Sequence, residues 1–247
     1  MFICLSQKVA KRNHPRNKYF LSDLLNFLMY KSLIKINLSI LFFFILQFQY
    51  AQKIALLKYS GGGDWYANIT TSLPNLVNFS NKQIHTVIDK KIKVVEPSSV
   101  EIFDFPFIHA TGHGNIFFSE TDIQNLRKYL KNGGFIHFDD NYGMDKYVRR
   151  EIKKLFPRQE LKELPVFHPI FHAYYNFQKG LPKIHEHDGK PPQAFGIFIN
   201  NRLVLLYTYE SDLGDGWESE EIHHDPAEIR EKALKMGANI LYYVFTN

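Results

Sequence analysis

Two apolar runs in this chain end in polar, glycine-bearing exits: Phe107-Ile108-His109-Ala110-Thr111-Gly112-His113-Gly114 and Gly133-Gly134-Phe135-Ile136-His137-Phe138-Asp139-Asp140. Between them, Ser119 and Asp122 have the spacing of a capping box, and Ile123, Leu126 and Leu130 recur at helical spacing up to Gly133-Gly134. A strand, a helix and a strand in that order pair their strands in parallel, because the helix supplies the crossover that parallel pairing needs. Both exits then leave from one edge of the sheet, and that edge is where α/β proteins place ligands.

The rest of the chain continues the alternation. Lys53-Ile54-Ala55-Leu56-Leu57-Lys58-Tyr59 reads as a buried strand stopped by Ser60-Gly61-Gly62-Gly63. A helix is expected from Trp65 to Phe79, disturbed by Pro74, and a strand region from Val87 to Val95. Lys146 to Phe156 reads as a basic amphipathic helix ended by Pro157. Ala194–Ile199 and Leu203–Tyr207, joined by Asn200-Asn201-Arg202, form a hairpin signal, since Asn tolerates left-handed turn conformations. Asp225-Pro226 is expected to cap and open a last helix toward Tyr243. The pattern predicts an α/β fold, a three-layer α/β/α domain with a mostly parallel central sheet. Residues 52–247 carry no repeat or long linker and are long enough for one domain with its own core.

The charge balance divides the chain. Overall there are 30 Lys and Arg against 25 Asp and Glu, but residues 1–51 hold seven of the bases and one acid, leaving 23 against 24. A near-neutral domain gives no support to nucleic-acid binding, and no nucleic-acid partner is expected. Residues 1–51 read as a leader: Lys31 and Lys35 precede the apolar run Ile36–Leu46, and the small residue Ala51 follows. That is the layout of a signal peptide, and it is short for a bilayer span of about 20 residues. Residues 1–28 read as upstream sequence ahead of a start at Met29, and 29–51 as a signal peptide or an uncleaved anchor. The expected location is periplasmic or secreted; with an uncleaved leader, the protein is membrane-anchored through that segment alone. The single Cys4 lies in the leader, so the domain has no disulfide, thiolate metal site or cysteine nucleophile.

Several residues are candidates for chemistry. His113, between Gly112 and Gly114, sits where backbone and imidazole can both approach a ligand, as base or metal ligand. Asp139 and Asp140 could hold a metal, orient His113, bind sugar hydroxyls or only cap the following helix, and strand alternation sends them to opposite faces. His113, Asp139 and Asp140 are therefore the catalytic candidates. His109 and His137, inside apolar strands, read as core residues. His168 and His172 have ligand spacing on a helix, although Pro169 argues against a regular one, and His185-Glu186-His187-Asp188 is dense in ligand atoms, a His-x-His pair in a polar loop that binds adventitious metal as readily as a functional one. The loop Tyr209–Glu218 combines Glu210, Asp212 and Asp215 with Trp217, read as an exposed aromatic beside carboxylates, as in carbohydrate sites. Trp65 is expected to form another pocket wall, so the ligand-binding candidates are Gly112, Gly114, Trp65, Asp212 and Trp217. The glycine run at 61–63 lacks the Lys-Ser/Thr of a P-loop, and the acidic loop lacks EF-hand spacing.

The ordered set Tyr59–Trp65, Thr111–Gly114, Gly133–Asp140, Leu155-Phe156-Pro157 and His168–Phe171 resembles the prokaryotic family called domain of unknown function 4159. That resemblance implies a flavodoxin-like, class I glutamine amidotransferase-like fold and no established activity. In amidotransferases of this fold one glycine-bearing strand exit supplies oxyanion donors and the next carries a nucleophilic cysteine. Here those positions correspond to Thr111–Gly114 and Asp139-Asp140, and a carboxylate cannot replace a thiolate in glutamine hydrolysis. The expectation is an exported domain that binds a polar ligand, a glycan or a peptide, at the strand edge. The alternative is a hydrolase in which His113 or Asp139 activates water, with a divalent metal held by Asp139 and one of His168 or His172. A divalent metal is the one cofactor these residues admit.

Overall fold

A computed structural model describes residues 24–35 and 51–247. Residues 24–35 are helical, and this helix runs through Met29. The apolar run at 36–46 and the sequence before residue 24 lie outside the described residues. No described helix is long and apolar enough to cross a membrane.

Residues 51–247 form a separate unit built on a seven-stranded sheet. Its strands are Ile54–Leu57 (β1), Lys93–Val95 (β2), Phe107–His113 (β3), Phe135–Tyr142 (β4), Lys162–Glu163 (β5), Gln193–Ile199 (β6) and Arg202–Tyr209 (β7). The order is β2-β1-β3-β4-β7-β6-β5. The pairs from β2 through β7 are parallel, and β6 pairs antiparallel with both β7 and β5. Helices are Ser72–Gln83 (α1), Glu120–Lys131 (α2), Asp145–Leu155 (α3), Leu213–Gly216 (α4), Glu220–His223 (α5) and Ala227–Thr246 (α6).

Strand alternation splits the core into two layers. Leu57, Ile108, Ala110, Ile136 and Phe138 pack with Leu126 and Leu130 of α2 and Val148 and Ile152 of α3. Leu56, Phe107, Phe135 and Leu206 pack with Leu73 and Leu76 of α1 and Met236 and Ile240 of α6. The sheet is thus covered on both faces, as the near-continuous apolar strands require.

Local signals account for the element ends. Ser119 and Asp122 form the reciprocal capping box at the start of α2, an arrangement worth about 1 kcal/mol. Asn200 and Asn201 both take positive φ, 50° and 63°, which gives the two-residue turn that matches the twist of a hairpin.

Four expectations shift. The helix expected from Trp65 begins at Ser72, so Pro74 lies in its first turn, where a missing N–H costs no helical bond. The strand expected over 87–95 is confined to Lys93–Val95, with one isolated bridge from Ile88 to Gln52. Strand β4 continues through Asp139 and Asp140 to Tyr142, so these carboxylates are strand residues and not a loop after it. Pro226, not Asp225, is the N-cap of α6, and no side chain caps that end.

Candidate functional site

The strand–helix–strand unit aligns as the sequence predicts, with Thr111 opposite Asp139 and Gly112 opposite Asp140. The register then slips so that His113 faces Tyr142. Gly112 permits this slip: its φ is +136°, and a Cβ there would lie 2.5 Å from the Tyr59 hydroxyl, which donates to Thr111 O.

At that edge, His113 and Asp139 have separate partners. His113 is exposed, and its Nδ1 lies 3.0 Å from Asp64 Oδ2 while its backbone N–H donates to Asp64 Oδ1. Asp139 is fully buried and takes Thr208 Oγ1 on one oxygen and the Gly214 N–H, at 2.6 Å, on the other. Burial pushes its carboxyl up to about 7, with the nearby Asp215 and Asp140 charges adding to that and its two hydrogen bonds opposing it. Asp140 faces the opposite layer, accepting from Met144 N at 2.9 Å and from Tyr207 Oη at 3.3 Å. It therefore helps to start α3, and burial raises its carboxyl to about 6.

The chain after β7 turns inward. Glu210 and Asp212 both have positive φ, 55° and 66°, although neither is glycine. Residues 210–218 are buried throughout. Gly214 makes the close approach possible, since a Cβ there would sit 2.9 Å from Asn68 Nδ2 and 3.1 Å from Asp139 Oδ2.

This folding-in assembles a polar cluster beside the ends of β3, β4 and β7. Asn68 and Asn141 both donate to Asp215 Oδ1, at 2.6 and 2.7 Å, and Thr111 donates to Asn141. His185 Nδ1 lies 2.8 Å from Asp212 Oδ2 and 3.6 Å from Asp215 Oδ2, while its Nε2 lies 3.0 Å from both oxygens of Asp225. His187 Nε2 lies 2.8 Å from the same Asp212 Oδ2. The carboxylates of Asp212, which accepts from its Nδ1, and of Asp215, at 3.6 Å, raise His185 to about 11 against the effect of burial. Burial, with Asp215 and Asp139 close by, raises Asp212 to about 8. Asp215 is held below the usual carboxylate range, because His185, His223 and Asn68 outweigh its burial.

A cleft of about 200 Å³ opens beside this cluster, lined by Asp140, Tyr142, Asp145, His187, Tyr209 and Glu210. Tyr142 is half-exposed and stacks on His187, with ring centroids 4.8 Å apart and an interplanar angle of 25°. Its hydroxyl donates to Asp188 at 3.2 Å. Lys183 neutralises the buried Glu210 at 2.6 Å, and Lys190 donates to the Tyr209 hydroxyl at 2.8 Å.

The remaining expected site residues lie elsewhere. Trp217 is no exposed wall: it is fully buried, its indole N–H donates to Ala233 O at 2.8 Å, and it packs on His109 and His137. Trp65 is part-buried against both core layers and sits edge-on to Tyr66, outside the cleft. His168 precedes a 3-10 turn over Pro169–Phe171 and accepts from Ile170 N, so no helix aligns it with His172. Both ring nitrogens of His172 meet oxygens, Nδ1 that of the Asn176 side chain and Nε2 that of the Val166 backbone. His109 and His137 are core residues as expected, their Nδ1 atoms 3.1 Å apart, but His109 Nε2 has no partner.

The sequence carries no sign of Asn68, Asn141 and Thr208 as site residues, and it offers His185 and His187 only as a His-x-His pair in a polar loop. The available signal was the carboxylate spacing of Glu210, Asp212 and Asp215 directly after a β-strand, on a segment with no charge-balancing Lys or Arg within it. Among curated proteins nothing matches the chain. The family model described as Domain of unknown function (DUF4159) matches residues 53–245, and the chain belongs to that family.

Proposed function

We propose that this is an exported ligand-binding domain that holds a small hydroxyl-rich ligand, the end of a glycan, in the cleft at the C-terminal ends of β4 and β7. The observation that carries this reading is the Tyr142–His187 stack at the cleft, with the carboxylates of Asp140 and Asp188 beside it. An aromatic face supplies apolar contact to a sugar ring while carboxylates accept from its hydroxyls. Three of the cleft acids already have cationic partners: Asp145 with Arg149, Asp188 with Lys190 and Glu210 with Lys183. That balance favours a neutral polar ligand over a strongly charged one. A cleft of about 200 Å³ is smaller than the pockets typical of drug-sized ligands, which suits a terminal unit.

The strand order β2-β1-β3-β4-β7 follows the doubly wound 2-1-3-4-5 arrangement, which supports reading the domain as an amidotransferase-like scaffold without its cysteine. The leader reading implies export. Saturation-transfer NMR against a panel of neutral oligosaccharides and short peptides tests the function. A saccharide should bind the wild type, with affinity at least about tenfold lower in Tyr142→Ala, about 1.4 kcal/mol. Binding of peptides alone, or a Tyr142→Ala variant that binds sugar as well as the wild type, overturns it.

One observation favours a second reading, a hydrolase. Asp212 holds His187 by Nε2, an orienting carboxylate behind an imidazole that lines the cleft. Hydrolysis of a bound saccharide that is lost in His187→Gln while binding persists would select this reading.

A further inference from the structure

We infer that His185, Asp212 and Asp215 form a binding site for one divalent first-row transition metal ion, of the Mn²⁺ or Zn²⁺ class. One ligand atom from each residue lies within 4.8 Å of the others. The separations from His185 Nδ1 are 2.8 Å to Asp212 Oδ2 and 3.6 Å to Asp215 Oδ2. Ligand atoms bound at about 2.1 Å stand about 3.0 Å apart at right angles and about 3.4 Å apart in a tetrahedron, so the atoms already approximate a coordination shell.

A second, independent feature points to a cation. Asp212 is fully buried, and its Oδ1 has no hydrogen-bond partner. A buried acceptor left without a partner is destabilising, and more so when the group is charged. Among the described residues no Lys or Arg side chain bonds either Asp212 or Asp215; their side-chain partners are histidines and asparagines.

The surroundings hold the three ligands in place. Asn68 and Asn141 tie Asp215 by Oδ1, leaving Oδ2 toward His185. Asp225 accepts from the far nitrogen of His185 with both oxygens, which holds the ring with Nδ1 facing the two carboxylates. An imidazole held from behind by a carboxylate is the usual support for a metal-binding histidine. Binding displaces the proton between His185 and Asp212, so no charge is stranded in the interior. One imidazole with two carboxylates favours first-row transition ions over Ca²⁺ or Mg²⁺, which prefer all-oxygen shells.

This inference is independent of the glycan reading, and its test leaves Tyr142 intact. The full chain, washed with chelator, is titrated with MnCl₂ and with ZnCl₂ by calorimetry. One ion per chain is expected, with affinity reduced at least about 100-fold in His185→Ala and Asp215→Asn and about 10–100-fold in Asp225→Asn. Wild-type protein carrying Mn²⁺ should show ¹⁴N coupling from imidazole in pulsed electron spin resonance, a readout that needs no variant to fold. Absence of binding to the wild type at millimolar metal, bound Mn²⁺ without nitrogen coupling, or unchanged affinity in a folded His185→Ala protein overturns the site.

Discussion

Oδ2 of Asp139 accepts the backbone N–H of Gly214 at 2.6 Å, tying the middle of the parallel sheet to the chain that leaves β7. Gly214 has ordinary backbone angles, so alanine there fails on space and not on strain. Its Cβ would press on Asn68 Nδ2, Asp139 Oδ2 and Thr111 Oγ1, at 2.9, 3.1 and 3.3 Å. Gly214→Ala should therefore cost about 1–3 kcal/mol in urea denaturation, the range for overpacking a tight interior. A cost below about 0.5 kcal/mol would show that the loop gives way freely.

Asp139 makes folding stability depend on pH in the direction opposite to a salt-bridged acid. Its carboxyl is raised from 3.8 to about 7 in the fold, so the folded state keeps a proton that the unfolded chain has lost. Stability is accordingly lost as pH rises from about 4 to 7. Asp139→Asn keeps an acceptor for Gly214 N and removes the charge. In chelator-containing buffer it should gain about 2–4 kcal/mol over wild type at pH 8, with the gain fading toward pH 4. Equal differences at the two pH values would rule out this titration as the cause.

His109 acts at the acid end. Burial lowers it from 6.5 to about 3, so the unfolded chain binds the proton first, and stability falls as pH drops below 6.5. At pH 5 the loss from this residue is about 2 kcal/mol. Asn at position 109 keeps a polar amide where Nδ1 meets His137 and cannot charge. Urea midpoints between pH 7 and 4 should decline less steeply in His109→Asn; an unchanged slope would remove His109 from the acid response.

The scaffold was legible because it rests on local signals: apolar strands, the Ser119–Asp122 box and the Asn200-Asn201 turn each act over a few residues. The candidate polar cluster shares Asp139 and Asp212 with the residues the sequence singles out, and the rest of its members differ. Asp139 and Asp212 were among the expected residues, and the fold brings their carboxylates close enough to repel. His113 was expected beside Asp139 because both end apolar runs, yet the register slip after Gly112 sends it to Asp64. Trp217 looked like a binding surface because it follows glycines and acids. Its burial depends on α6 supplying the Ala233 carbonyl, a contact no local pattern encodes. Asn68 and Asn141 carry no signature of their own, since an amide that orients a carboxylate looks like any loop or strand amide until the fold joins them.

The polar cluster joins positions far apart in the chain: Asn68 to Asp215 across 147 residues and Asp139 to Gly214 across 75. Contacts of that separation carry the largest loop-closure entropy and form only after nearer pairings are in place. Strand β7 must also enter between β4 and β6 before Asp212 and Asp215 have anything to meet. The cluster therefore cannot close until the chain from residue 68 to residue 215 is available. A nascent chain keeps these carboxylates separate and hydrated until nearly the whole domain has been synthesised.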